Sequence, residues 1–185
     1  MNYTIHLLKE NHIPKVLEIW GERMGRKYPE ESKLYDAADI NVKNTFGFVT
    51  MTNNSIIGFC IGKILTRKEA ENMVPQLNLF DKSIEHVGLL DLNVVKKSYE
   101  RNGIGTSQIK EREKYFNEKN INTMFAICWI RDKHPDSKLL LDEEGFRCVD
   151  KIDNFWYGDT LERNAKCIDC GGPCHCTAGI HIKQS

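Results

Sequence analysis

With 185 residues, the chain has room for one domain with a full hydrophobic core and a short appendage. Basic and acidic residues balance at 26 each, which excludes a global field that would recruit nucleic acid or an anionic membrane surface. No apolar run approaches the ~18 residues of a membrane span, and Met1 to Glu10 lacks the basic, apolar and small-residue regions of an export signal. A soluble cytoplasmic protein with neither nucleic-acid nor membrane partners is therefore expected.

In chain order, Asn2 to Leu8 alternates polar residues with Tyr3, Ile5 and Leu7 and predicts a first strand. Asn11 then suits an N-cap and Pro14 a first helical turn, and Ile13, Val16, Leu17, Trp20 and Met24 share one face at helical spacing. A second, more polar helix is predicted within Gly25 to Thr45. Phe46 to Met51 and Ser55 to Leu65, joined by Thr52, Asn53 and Asn54, predict an antiparallel hairpin. Thr66 to Ser83 is long for a connection, so it is expected to hold a short helix or to cover a site. Ile84 to Val95 predicts a central strand that delivers Glu100 to Thr106, with Gly103 and Gly105, into a charged helix reaching Asn120. Ile121 to Ile130 is apolar on both faces, as an inner strand is. Asp136 to Glu144 predicts a helix stopped by Gly145, and Phe146 to Lys151 with Asn154 to Gly158 predicts a final hairpin.

A strand feeding a glycine turn at a helix start is an anion site. Glycine lets backbone N–H groups converge, and the helix terminus adds about half a positive charge. Phosphate is the expected guest. No Lys-Ser or Lys-Thr follows the second glycine, which excludes a nucleoside-triphosphate loop, and a third glycine for a dinucleotide fingerprint is missing. What remains, Val95, Tyr99, Arg101, Asn102, Gly103, Ile104 and Gly105, resembles the GNAT superfamily of acetyl-CoA-dependent N-acetyltransferases. Glu100 departs from the Gln or Arg of that signature. Gly145-Phe146 closing a helix is a second resemblance, and the element order is a third. Together they cover about residues 1 to 160.

The resemblance implies an α/β (α+β) GNAT fold: a mixed, mostly antiparallel sheet of six to seven strands flanked by about four helices. It also implies direct transfer of an acetyl group from acetyl-CoA to a primary amine, on a small molecule, a polyamine or a protein. Asn93, Val94 and Val95 would pair with the pantetheine arm, and Arg101, Asn102, Gly103, Ile104, Gly105 and Thr106 would cradle the pyrophosphate. Leu141 stands where many members have a Tyr that protonates the leaving thiolate, and His134 where an Asn is common. His134 thereby counts among the cofactor-contacting positions, and His134 or Cys128 is available in the Tyr's place. Homodimers are common in that family. Period-2 alternation places Glu85, Asp91 and Asn93 on one strand face, and Asp91, with Glu85 second, is the expected base, since the family's usual Glu position holds Leu89. Trp20, Tyr28, Tyr35 and Trp156 are candidates for an acceptor pocket.

Seven cysteines divide into Cys60, Cys128 and Cys148 in strand-like segments and a tail set of Cys167, Cys170, Cys174 and Cys176. Cys-x-x-Cys followed by glycine is a metal knuckle, because two thiolates at that spacing chelate one ion. Zinc, an iron–sulfur cluster, free or disulfide-bonded thiols and a redox pair all fit the spacing, and His181 is an alternative ligand. Residues 161–185 are expected as a cysteine-rich tail beyond a domain of residues 1–160. The alternative function is a non-catalytic CoA-binding regulatory module whose tail binds metal or senses redox state.

Overall fold

The computed structural model describes residues 1–25, 29–75, 79–130 and 137–184; Tyr28 and His134 lie outside them. The chain runs β1 (Thr4–Leu7), α1 (Ile13–Met24), α2 (Glu31–Ala38), β2 (Thr45–Thr52), β3 (Ser55–Thr66), α3 (Arg67–Met73), β4 (His86–Val95), α4 (Ile104–Glu118), β5 (Thr123–Ile130), α5 (Ser137–Glu143), β6 (Arg147–Ile152), α6 (Tyr157–Glu162) and β7 (Thr177–Gln184). The seven strands form one sheet in the order β1-β2-β3-β4-β5-β7-β6. Every pairing is antiparallel except β4 with β5.

Both faces of the sheet are covered because each major helix buries one stripe. Ile13, Val16, Ile19 and Trp20 of α1, with Leu34 of α2, pack on Val49, Phe59, Ile61 and Val94. On the opposite face Ile109 and Phe116 of α4 pack on Phe46, Phe48, Leu90 and Met124, joined by Leu141 of α5. Asn53 and Asn54 turn β2 into β3 with φ of 46° and 60°, the paired left-handed conformation of a two-residue hairpin loop. The connection after β3 contains α3, started by a capping box in which Glu69 N–H donates to Thr66 Oγ1 and Thr66 N–H donates to Glu69 Oε2.

The last part of the chain departs from expectation. Residues 154–158 do not form a hairpin strand; Tyr157–Glu162 is helical, and the partner of β6 is β7. Strand β7 lies between β5 and β6, with Ala178, Gly179, Ile180 and His181 all buried. Residues 161–185 are thus not an appendage: they supply an inner strand, and the break expected at residue 160 falls within the sheet's own connection. The cysteines occupy the loop that leads into that strand.

Candidate active site

The site begins as a fault in β4. Its ladder with β3 pairs Leu90 with Gly62 and Leu92 with Ile61, so Asp91 is an extra residue, a bulge. The bulge breaks the alternation. Asn93 turns toward α4, where its Oδ1 accepts from Arg112 Nη2 at 2.8 Å, while Asp91 lies on the other side, 3.3 Å from Lys63 Nζ and 3.9 Å from Lys33 Nζ. The single face expected for Glu85, Asp91 and Asn93 does not exist. Glu85 precedes the strand, is exposed and lines neither cavity described below.

Arg112, unremarked in the sequence, holds the bulge. Its Nη1 donates to the carbonyls of Ile61 at 3.1 Å and Leu92 at 2.9 Å, and its Nε to Gln108 O at 3.2 Å. It is 1 % exposed, and burial pulls its pKa below the ordinary arginine value, opposed by Cys60, Asp91 and Glu113. The one available signal was spacing: Ile104, Gln108, Arg112 and Phe116 recur every fourth residue and form the buried stripe of α4.

Past the bulge, the sheet opens. The parallel ladder between β4 and β5 consists of Gly88 with Met124 and Leu89 with Phe125, and β5 continues along β7 instead. A cavity of about 510 Å³ follows the opened edge, lined by Asn93, Val94 and Val95 and by Arg101, Gly103, Ile104, Gly105 and Thr106. Gly103 is the N-cap of α4 at φ 74°, a conformation that favours glycine. The first amides of a helix have no acceptor within it, and here those residues form the cavity wall. A Cβ on Gly105 would lie 2.8 Å from Leu140 Cδ2 and 3.3 Å from Asn93 Nδ2, so glycine permits the close packing there. Asn102 braces the turn, its Nδ2 donating to the carbonyls of Tyr99 and Glu100, and is absent from the cavity lining. Glu100 is ion paired with Arg23 of α1, and both line the cavity.

A second cavity of about 360 Å³ adjoins the first, and the two share Met24, Asn93, Trp129 and Leu140. Asp91, Cys128 and the aromatic rings of Trp20, Phe155 and Trp156 line it. Of the residues expected to form an acceptor pocket, Trp20 and Trp156 are there, whereas Tyr35 is 47 % exposed on α2. Charges on the rim neutralise one another: Arg163 Nη1 meets Glu30 Oε1 and Asp159 Oδ2, each at 3.1 Å, and Lys33 Nζ meets Glu30 at 3.2 Å. Cys128 Sγ lies 3.5 Å from His181 Nδ1, and His181 Nε2 lies 3.6 Å from Asp142 Oδ1. Sequence spacing gave no hint of this row, because it joins β5, β7 and α5.

The sulfur atoms of Cys167, Cys170, Cys174 and Cys176 all fall within 4.8 Å of one another, with Cys170 and Cys176 at 3.6 Å and Cys167 and Cys176 at 4.0 Å. Tetrahedral zinc with Zn–S bonds of about 2.3 Å needs sulfurs about 3.8 Å apart, so the set can hold a metal ion. His181 is directed elsewhere, and His175 has its Nδ1 2.9 Å from Asn154 Oδ1. With no ion, burial pushes Cys176 up to about 11 and Cys174 higher still. Burial also raises Cys170, but the His175 N–H and the neighbouring thiols outweigh it, and the net shift is downward.

A seven-stranded mixed sheet whose parallel pair splays beside a glycine-capped helix is the fold of acetyl-CoA-dependent acyltransferases. The profile of the Acetyltransferase (GNAT) family matches residues 13–146, and the chain belongs to that family. No curated protein sequence matches it. Among solved structures it is similar to Arabidopsis thaliana NAA60 in complex with acetyl-CoA (TM-score 0.74, 17 % identity, 99 % of this chain and 98 % of that one). It is also similar to the ribosomal-protein-S18-alanine N-acetyltransferase of Escherichia coli (TM-score 0.66, 15 % identity, 99 % and 94 %). A third is the mosquito arylalkylamine N-acetyltransferase like 5b (TM-score 0.67, 10 % identity, 100 % of both chains). Among the described residues, no helix is long and apolar enough to cross a membrane.

Proposed function

We propose that the protein is an N-acetyltransferase that moves the acetyl group of acetyl-CoA directly to a primary amine. The observation that carries this is the meeting of two cavities at Asn93 and Trp129, one beside the glycine cradle and the other containing Asp91. The amides of Gly103 to Thr106 bind the pyrophosphate, with the charge of the helix terminus behind them. The opened edge of β4 from Asn93 to Val95 takes the pantetheine arm as a sheet edge takes a strand.

In the second cavity Asp91 receives the proton that the amine must lose, directly or through one water. Lys63 and Lys33 hold its carboxylate in place. A β4 backbone N–H donates to the carbonyl oxygen as it gains charge. Leu141 is buried at 3 % exposure and carries no proton, so the Cys128 thiol, backed by His181 and Asp142, hands the proton to the departing sulfur. The products are an acetamide and free CoA, and solvent restores both side chains. Aromatic walls and a self-neutralised rim favour an amine carried on an apolar group over a polyamine.

The test is acetylation of a panel of arylalkylamines, polyamines and peptides, followed by mass spectrometry, with acetyl-CoA binding measured in parallel. Product from wild type, and turnover reduced about a hundredfold in Asp91→Asn at near-normal acetyl-CoA affinity, is expected. Binding without product from any amine would favour the CoA-responsive module instead. Gly103→Val should abolish the thermal stabilisation of about 2.7 kcal/mol that ligand at a hundred times its Kd confers; no stabilisation of wild type would remove the cofactor site itself.

A further inference from the structure

We propose that Cys167, Cys170, Cys174 and Cys176 hold one zinc ion, and that this ion builds the outer wall of the acceptor cavity. The inference that the wall serves an acceptor rests on the function proposed above; the metal site does not.

The loop is shaped for a metal independently of the sulfur distances. Gly171 N–H donates to Cys167 O and Cys167 N–H to Gly172 O, both at 2.9 Å, and Gly171 takes φ 71°. These bonds close the Cys-x-x-Cys turn and keep both sulfurs in the cluster. The His175 N–H donates to Cys170 Sγ at 3.4 Å, the kind of outer bond that favours a thiolate ligand. Cys167 and Cys174 are 1 % and 0 % exposed. Four sulfurs this close, two of them buried, repel one another as thiolates; a zinc ion holds all four as ligands and cross-ties the loop.

That loop carries the elements that enclose the second cavity. Cys174 N–H donates to Thr160 Oγ1 of α6 at 2.8 Å, and α6 contributes Asp159 while Arg163 follows at its end. Cys176 directly precedes β7, whose first pairs are Thr177 with Ile130 and Ala178 with Trp129, so the fourth ligand is anchored beside Trp129. Trp129 lines both cavities and meets Trp156 edge to face at 6.4 Å, and Trp156 meets Phe155 at 5.1 Å. On the far side the loop abuts the end of α1: a Cβ on Gly25 would lie 2.4 Å from Lys166 O. A six-residue helix is too short to persist alone. Its position therefore depends on the cross-tie, whereas the glycine cradle is built from β4 and α4.

The experiment uses the full chain. Elemental analysis of protein purified without added metal should give one zinc per chain, and cobalt(II) exchanged into it should give the intense absorption of a tetrahedral thiolate site. Cys170→Ser, at the exposed ligand, should lose the ion, and Cys148→Ser, a cysteine outside the cluster, should retain it. On chelation, hydrogen exchange should rise at least tenfold across residues 153–176, with acetyl-CoA still protecting residues 103–106. Protein that contains no metal and takes up no cobalt, or that contains iron with sulfide, would overturn the zinc site. Zinc whose removal leaves exchange at 153–176 unchanged would overturn its role in the wall, and neither result bears on acetyl transfer.

Discussion

Glu100 and Arg23 form an ion pair that ties the glycine turn to the end of α1. Both side chains line the cavity proposed for the cofactor, so a carboxylate stands where a phosphate is expected and a guanidinium from another element neutralises it. Arg23→Ala would leave Glu100 unbalanced against the incoming anion. Calorimetric titration with acetyl-CoA should show affinity weakened about tenfold, or about 1.4 kcal/mol, and the loss should shrink at high salt. Adding Glu100→Gln to the variant should recover most of it. Unchanged affinity in Arg23→Ala would confine the pair to holding the turn.

Arg112 is the buried cation on which the β4 bulge rests. Arg112→Met fills much of the same space but leaves the carbonyls of Ile61 and Leu92 and the Oδ1 of Asn93 without their donor. Denaturant unfolding should show a loss of about 2–4 kcal/mol, in line with unpaired buried acceptors. Arg112→Lys should recover only part of it, since an ammonium lacks the planar fork that reaches several acceptors at once. A loss below about 0.5 kcal/mol, the range of an ordinary surface substitution, would mean that the bulge stands without it.

The strand, turn and helix from His86 to Glu118 were legible because local signals there, apolar pattern, Gly103 and helical spacing, all agree with the final fold. The GNAT resemblance and the glycine cradle followed from them. Asp91 was singled out but grouped on one face with Asn93, since a bulge is created by pairing with β3 and leaves no mark in β4 alone. Strand β7 was hidden because the cysteines beside Thr177 to Gln184 drew that stretch into a ligand set. The row from Cys128 to His181 to Asp142 was invisible for the same reason that β7 was: it exists only once that strand inserts between β5 and β6.

Metal binding at the cysteine loop should weaken steeply with acid. Without an ion, Cys176 is pushed up to about 11 and Cys174 further, so both are neutral thiols near pH 7 and each must release a proton on ligation. The sign follows: lowering pH supplies the released protons and favours the empty site. Those two protons alone make the apparent affinity fall at least about a hundredfold per pH unit. Cobalt(II) titrations at successive pH values read this slope directly, and an affinity independent of pH would contradict ligation by those two sulfurs.

Cys128 has two possible chemical uses, which experiment separates. A thiol beside an imidazole that is in turn beside a carboxylate is also the arrangement of a covalent nucleophile, and Cys128 lines the cavity proposed for the acceptor. As a proton donor, the thiol never carries the acetyl group: Cys128→Ala should lower kcat about ten- to a hundredfold, leave acetyl-CoA affinity unchanged, and keep sequential kinetics. Cys128→Ser, which retains a proton, should recover part of the rate. As a nucleophile, the sulfur would instead attack the thioester, release CoA before the amine binds and give ping-pong kinetics. Incubating the enzyme with acetyl-CoA and no amine distinguishes them. Intact protein mass should remain unacetylated at Cys128, and a stoichiometric acetyl adduct there that discharges to an added amine would replace direct transfer with a two-step route.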